Sequence, residues 1–268
     1  MIILGAEVYK ILINKPKGST ALGFTAGSTG EQIEKEIEAM GLHTDFIRVK
    51  EGFSRINVKL KDYDGTEING MGPVIDSDSV DKLYQKLDGL KEGDILVLAG
   101  SIPKCLSDSI YSNMMERLQS KGVWFVVDAT KDLLVNVLQY HPFLIKPNNH
   151  ELGEIFNVTL ETRESVVPYA KKLQEQGARN VLVSMAGAGA VLVDETGGVH
   201  SLPAPAGKLV NAVGAGDSMV AGFLAGWSQK QDYDHAFRMG VATGSASAFS
   251  EFLATKSEVE QVFAALEA

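Results

Sequence analysis

Apolar runs of four to six residues recur along the chain, separated by longer segments in which apolar positions return with helical period. That alternation belongs to buried strands joined by crossover helices, and it predicts a mostly parallel sheet with a layer of helices on each face. Asp94 to Ala99 (D-I-L-V-L-A), Val123 to Asp128 (V-W-F-V-V-D), Phe143 to Lys146 and Asn180 to Ser184 (N-V-L-V-S) read as strands apolar on both faces, each ending in a polar residue or before a glycine. In open parallel sheets such carboxyl ends are where ligands bind. Thr29, Ser77 and Ser107 stand before helical stretches as cap-like residues.

One region departs from the alternation. Arg55 to Lys61 (R-I-N-V-K-L-K), then Asp62 to Gly65, then Thr66 to Asn69 read as a β-hairpin around a glycine-containing turn. Its alternating polar positions predict one solvated face, which places residues 54–70 outside the main sheet as a flap. No internal repeat, low-complexity tract or Pro-rich linker marks a second unit, so residues 1–268 are expected to form a single domain.

Composition narrows the classes. With 45% hydrophobic and 22% charged residues the chain is globular, and disorder is excluded for its bulk. A formal net charge of −9 argues against general electrostatic binding to nucleic acid or anionic membrane. Cys105 is the only cysteine, so no intramolecular disulfide forms and a reducing, cytoplasmic compartment is expected. The apolar runs are too short to span a bilayer, and no secretory signal is read at the start.

Four segments carry candidate chemistry. In Asn211 to Asp217 (N-A-V-G-A-G-D), Gly214, Ala215 and Gly216 let the backbone turn tightly before the buried helix that follows. Free amides at a helix N-terminus bind anions, and Asp217 beside them is placed to take a proton from an attacking hydroxyl. A tight turn followed by a helix N-terminal acid is the competing account. Lys146 to Glu151 (K-P-N-N-H-E) follows a strand, and Asn148 and Glu151 share a face of the next helical turn. That arrangement suits a magnesium ion completed by water and phosphate, or a capping box with Asn148 as the cap.

Ser184 to Ala190 (S-M-A-G-A-G-A) is a small-residue loop after a strand, open either to close nucleotide approach or to a plain hairpin turn. Ser54, Arg55 and Asn57 open the flap, where a guanidinium can pair bidentately with a substrate phosphate or simply lie exposed on a strand. Asp128 and Gly100-Ser101 complete the strand-end polar groups. The five histidines lack metal-ligand spacing, and neither a Walker A loop nor a protein-kinase signature is present.

In this order and at these separations, the segments from about Ser19 onward resemble the ribokinase-like (PfkB-type) sugar kinases. N-A-V-G-A-G-D matches that family's carboxy-terminal signature, K-P-N-N-H-E its N-x-x-E motif and S-M-A-G-A-G-A its nucleotide loop. F-S-R-I-N-V-K-L with T-E-I-N-G-M-G-P looks like the fructose-phosphate branch. The resemblance implies a three-layer αβα sandwich with a β lid, and transfer of the γ-phosphoryl group of ATP, with Mg²⁺, to the 6-hydroxyl of fructose 1-phosphate. Tagatose 6-phosphate kinases share overlapping motifs, and a relative that binds nucleotide without catalysis is the reading from another class.

Carried over by position, the resemblance implies Asp217 as the base and Gly214, Ala215 and Gly216 as the anion hole. Lys146, Asn148, Ser184 and Gly189 would meet the nucleotide, Glu151 and Asp128 the metal, and Arg55, Asn57 and Ser101 the sugar phosphate. Residues 1–18 hold no aspartate and no paired glycines, where the family has a sugar-binding aspartate and a G-G-K-G-x-N run. The first strand and part of the flap, through which such kinases form homodimers, are therefore expected to be incomplete.

Overall fold

The computed structural model describes residues 2–4, 18–59 and 67–267. Its strands are β1 (Ile2–Leu4), β2 (Thr20–Leu22), β3 (Phe24–Thr25), β4 (His43–Thr44), β5 (Ile47–Arg48), β6 (Asn57–Lys59), β7 (Glu67–Asn69), β8 (Ile95–Ala99), β9 (Trp124–Asp128), β10 (Leu144–Ile145), β11 (Asn180–Ser184), β12 (Ala190–Val193) and β13 (Val199–Leu202). The described α-helices are α1 (Gly27–Ala39), α2 (Ser77–Leu87), α3 (Ile110–Leu118), α4 (Lys131–Val137), α5 (Asn149–Phe156), α6 (Arg163–Glu175), α7 (Ala215–Lys230), α8 (Tyr233–Phe249) and α9 (Lys256–Glu267).

Among the described residues the main sheet has nine strands in the order β13-β12-β11-β10-β9-β8-β1-β2-β4. From β4 to β11 every pairing is parallel, and β12 and β13 close the other edge antiparallel. The central place beside β8, expected to be incomplete, is held by the three residues of β1. The four strands read from the sequence are all present, trimmed by a residue at one or both ends except for Asn180–Ser184.

Alternation along the strands builds two cores. In β8, Leu96 and Leu98 face one helical layer while Val97 and Ala99 face the other. The first layer packs Leu83 and Leu87 of α2, Met115 of α3, Leu152 of α5 and Val166 of α6; the second packs Ile37 of α1, Phe223 of α7 and Phe237 of α8. Leu96, Val97 and Leu98 are each fully buried, and burial of one such side chain is worth about 1.5–3 kcal/mol. Placing these strands on the surface would forfeit that on both faces at once.

The flap is a separate antiparallel ladder in which Asn57 pairs with Asn69 and Val58 with Ile68. The turn expected at Asp62 to Gly65 lies outside the described residues. Its entry is tied to the start of α1: Ser54 Oγ accepts the Ala26 amide at 3.0 Å, and Thr29 Oγ1 donates to the Ser54 carbonyl at 2.9 Å.

That contact corrects the reading of Thr29 as a cap. The α1 helix begins at Gly27, three residues earlier than a Thr29 cap would start it, and the Thr29 hydroxyl serves the flap instead. Asp76 rather than Ser77 caps α2, accepting the Ser79 amide at 2.7 Å, because a carboxylate is the stronger acceptor at a helix N-terminus. The residue before α3 is Ser109, to whose hydroxyl Ser107 Oγ comes within 2.7 Å.

Candidate active site

Strand register assembles the site. Val127 of β9 pairs with Ile145 of β10, so the residues that follow, Asp128 and Lys146, emerge side by side. Asp128 also pairs with Ala99, the last residue of β8, ahead of Gly100 and Ser101. On the other flank an isolated bridge joins Asn148 to Ser184 at the end of β11. Residues spread over more than eighty positions thus lie along one carboxyl edge of the sheet.

Lys146 is the hub. Its Nζ stands 3.2 Å from Asp128 Oδ1, with only 8% of its side chain exposed. Burial alone would depress the ammonium pKa, but the charges of Asp128, Glu151 and Asp217 outweigh it and hold the pKa above the ordinary lysine value. The same balance places Glu151 and Asp217 within electrostatic reach of Lys146, although they come from the first turns of two different helices.

The α7 helix starts where Gly214 takes φ +80, a left-handed conformation that glycine adopts without strain. Ala215, Gly216 and half-buried Asp217 form the first turn, so their amides and the Asp217 carboxylate share one end of the helix. Packing holds that end in place. At Gly244 of α8 a β-carbon would lie 2.9 Å from the Ala215 carbonyl, so the absent side chain lets α8 pack against the first turn of α7.

At the start of α5 the capping box is present. Asn148 Oδ1 accepts the Glu151 amide at 2.8 Å, and Glu151 Oε2 accepts the Asn148 amide at 2.7 Å. The box holds Glu151 Oε2 on the Asn148 amide, just beyond the end of β10.

The loop after β11 is also a hairpin turn: Met185 donates to the Gly189 carbonyl at 2.8 Å, and β12 returns antiparallel. A β-carbon on Gly189 would lie 2.0 Å from the Leu202 carbonyl, so this glycine is required by the close approach of β13. Arg55 is half-buried and Asn57 exposed, both on the flap side, while Ser101 is exposed after β8.

Tyr111 was not among the sequence candidates. Its hydroxyl donates to the carbonyls of Ala99 and Gly100 at 3.0 and 3.1 Å, fixing the strand end before Ser101. Burial first, and the Asp128 charge second, push the phenol pKa up, so it remains a donor. In the sequence it is one more residue on a core-facing helical stripe, with nothing to mark the contact. Cys105 is exposed and its sulfur accepts the Ile75 amide at 3.5 Å. Among the described residues no group of three or more His, Cys, Asp or Glu is placed to hold a metal, and no helix is long and apolar enough to cross a membrane.

A family model described as pfkB family carbohydrate kinase matches residues 12–258. The chain is similar to 1-phosphofructokinase of Bacillus subtilis (strain 168), at 47% identity over 258 residues covering 96% of this chain and 84% of the relative. D-tagatose-1-phosphate kinase of Bacillus licheniformis is 34% identical over 244 residues, covering 91% of this chain and 80% of its own length. Phosphofructokinase-2 from Escherichia coli, crystallised with substrates and products, superimposes with a TM-score of 0.88 at 24% identity over 98% of this chain and 87% of that one, a likeness of fold.

Proposed function

The chain belongs to the pfkB family of carbohydrate kinases, and on that footing we propose that it transfers a phosphoryl group from ATP to the 6-hydroxyl of fructose 1-phosphate, giving fructose 1,6-bisphosphate. The observation that carries the reading is the convergence of Asp217, the opening amides of α7 and buried Lys146 at one strand edge. The substrate follows the relative that is 47% identical.

Each group has a task. Asp217 accepts the proton of the 6-hydroxyl as its oxygen bonds to the γ-phosphorus and the bond to the ADP oxygen breaks. The amides of Gly214, Ala215 and Gly216 face the oxygens on which charge gathers, and Lys146 adds a cation beneath them. Asn148, Ser184 and Gly189 border the place of the nucleotide. Arg55, with Asn57 and Ser101, would hold the phosphate already on the sugar.

Two carboxylates, Asp128 and Glu151, fit a magnesium ion that keeps most of its shell as water and phosphate oxygen, since magnesium is bound by one or two carboxylates rather than by a protein cage. When bound, the ion would neutralise phosphate charge.

A second reading is favoured by the 34% identical D-tagatose-1-phosphate kinase: the substrate is the sugar epimeric at one carbon. Tagatose 6-phosphate is a third acceptor to test. Purified protein should be assayed with ATP and each ketose phosphate, following product by phosphorus NMR. The highest kcat/KM is expected with fructose 1-phosphate; a higher value with tagatose 1-phosphate moves the assignment, and no turnover with any of them overturns it. The exposed Ile56, Val58 and Ile68 of the flap, with Phe53 just before it, support a homodimer through that face. Sedimentation of an Ile56→Glu, Ile68→Glu variant should then show monomer, and an unchanged association state removes the flap from the interface.

A further inference from the structure

The chain enters the flap through one fully engaged residue. The Ser54 amide donates to the Ala26 carbonyl at 2.9 Å, its Oγ accepts the Ala26 amide at 3.0 Å, and its carbonyl accepts the Thr29 hydroxyl at 2.9 Å. Ser54 is 8% exposed, whereas Phe53 and Ile56 on either side are 60% and 62% exposed. The amide, carbonyl and hydroxyl oxygen of Ser54 are thus all spent on the start of α1, and Arg55 follows immediately.

Two glycines make room for that approach. A β-carbon at Gly30 would lie 3.1 Å from Ser54 Oγ, and one at Gly27, where φ is +58, would lie 2.6 Å from the Gly52 carbonyl. The first turn of α1 therefore presents bare backbone to the flap entry, and Thr29 is the side chain that reaches across to it. The flap exit is held more loosely: the Ile75 amide donates to the Cys105 sulfur at 3.5 Å, a weaker acceptor than oxygen.

We propose that Thr29 is a positioning residue for the sugar phosphate: by holding the Ser54 carbonyl it fixes the direction in which the chain departs into Arg55, and so the place of the guanidinium. The proposal rests on the kinase reading above, in which Arg55 holds the phosphate already on the sugar. The Ser54 carbonyl and the Arg55 nitrogen share one rigid peptide plane, so a bond to that oxygen orients the start of Arg55. A guanidinium pairs bidentately with phosphate only within a narrow geometry. The phosphate held there is not the group transferred, so the grip on it is the same before and during transfer. Loosening that grip raises KM without lowering kcat.

Thr29→Val keeps the branched shape of the side chain and removes the hydroxyl. KM for fructose 1-phosphate should rise on the order of tenfold, with kcat and KM for ATP held within about twofold, and Thr29→Ser should keep the original KM. In an Arg55→Ala background Thr29→Val should add less than about twofold, because the clamp then has no guanidinium to place. An unchanged KM in Thr29→Val overturns the proposal, as does an equal rise with and without Arg55. Should Thr29→Val fail to fold, hydrogen exchange in the unaltered protein decides: slower exchange of the Ser54 amide than of the β6 amides supports the fixed entry, and equal exchange overturns it. An unaltered protein inactive on every ketose phosphate sinks the kinase reading and this proposal with it, a result distinct from an active enzyme whose KM is indifferent to Thr29.

Discussion

Lys146 and Gly216 are fitted to each other: a β-carbon on residue 216 would lie 3.2 Å from Lys146 Nζ, so the missing side chain lets the ammonium sit against the first turn of α7. A strand-end cation and a helix N-terminus thereby act on the same volume. Gly216→Ala keeps the amide but crowds the ammonium. Because that ammonium is buried and paired with Asp128, we expect kcat to fall on the order of tenfold while stability changes by less than about 1 kcal/mol. Steady-state kinetics beside a urea titration measure both, and an unchanged kcat would separate Lys146 from the anion hole.

Asp217→Asn preserves shape and helix position but removes the proton acceptor. The rate should drop by on the order of 10² to 10⁴ with KM for ATP little altered. Retention of most of the activity would reassign the base.

Asp128→Asn strips Lys146 of its nearest counter-charge, leaving Glu151 and Asp217 to oppose burial. Breaking a buried pair by removing one partner costs about 3 kcal/mol at neutral pH. The Lys146 pKa is raised in the folded protein, so its pairing stabilises fully below the unfolded value of 10.5 and is lost as pH rises through the folded value. The unaltered protein should therefore lose stability above about pH 10.5, and Asp128→Asn should lose less over the same interval. Chemical denaturation at pH 7 and pH 11 compares them, and parallel losses would contradict the pairing.

Gly189→Ala tests the hairpin turn. The position has φ +100 and a β-carbon there would meet the Leu202 carbonyl at 2.0 Å, so the β12–β13 edge must shift. A loss of more than about 3 kcal/mol is expected from backbone strain and overlap together. A thermal scan showing an unaltered Tm would mean that β13 yields freely.

On the acid side, Glu34 is buried, which by itself raises its pKa, yet hydrogen bonds from Arg48 and Thr25 bring the pKa below the ordinary value of 4.5. A lowered folded pKa contributes stability above the unfolded value that is lost as pH falls through the folded one. Glu34→Gln should be less stable at pH 7 and should lose less than the unaltered protein between about pH 5 and pH 3. Equal acid profiles would leave Glu34 without influence.

The sequence alone determined the layered architecture. An unbroken apolar run such as Ile95 to Ala99 has no polar face to show water, so burying both sides between helices is its stable resolution, and strand ends at Asp128, Ile145 and Ser184 follow from where the apolar run stops. The Gly214 turn and the capping box were legible for the same reason, being local contacts among residues a few positions apart. Helix starts were less so, because Thr29 was drawn to Ser54 and Asp76 displaced Ser77, choices between neighbours that distant or stronger partners settle. Only the tertiary structure decided that Lys146 meets Asp128, that Tyr111 fixes the Ala99 carbonyl, and that Asn211 reaches Glu251, forty positions away. Such contacts depend on strand register and helix packing, which the whole sheet sets at once and no single segment encodes.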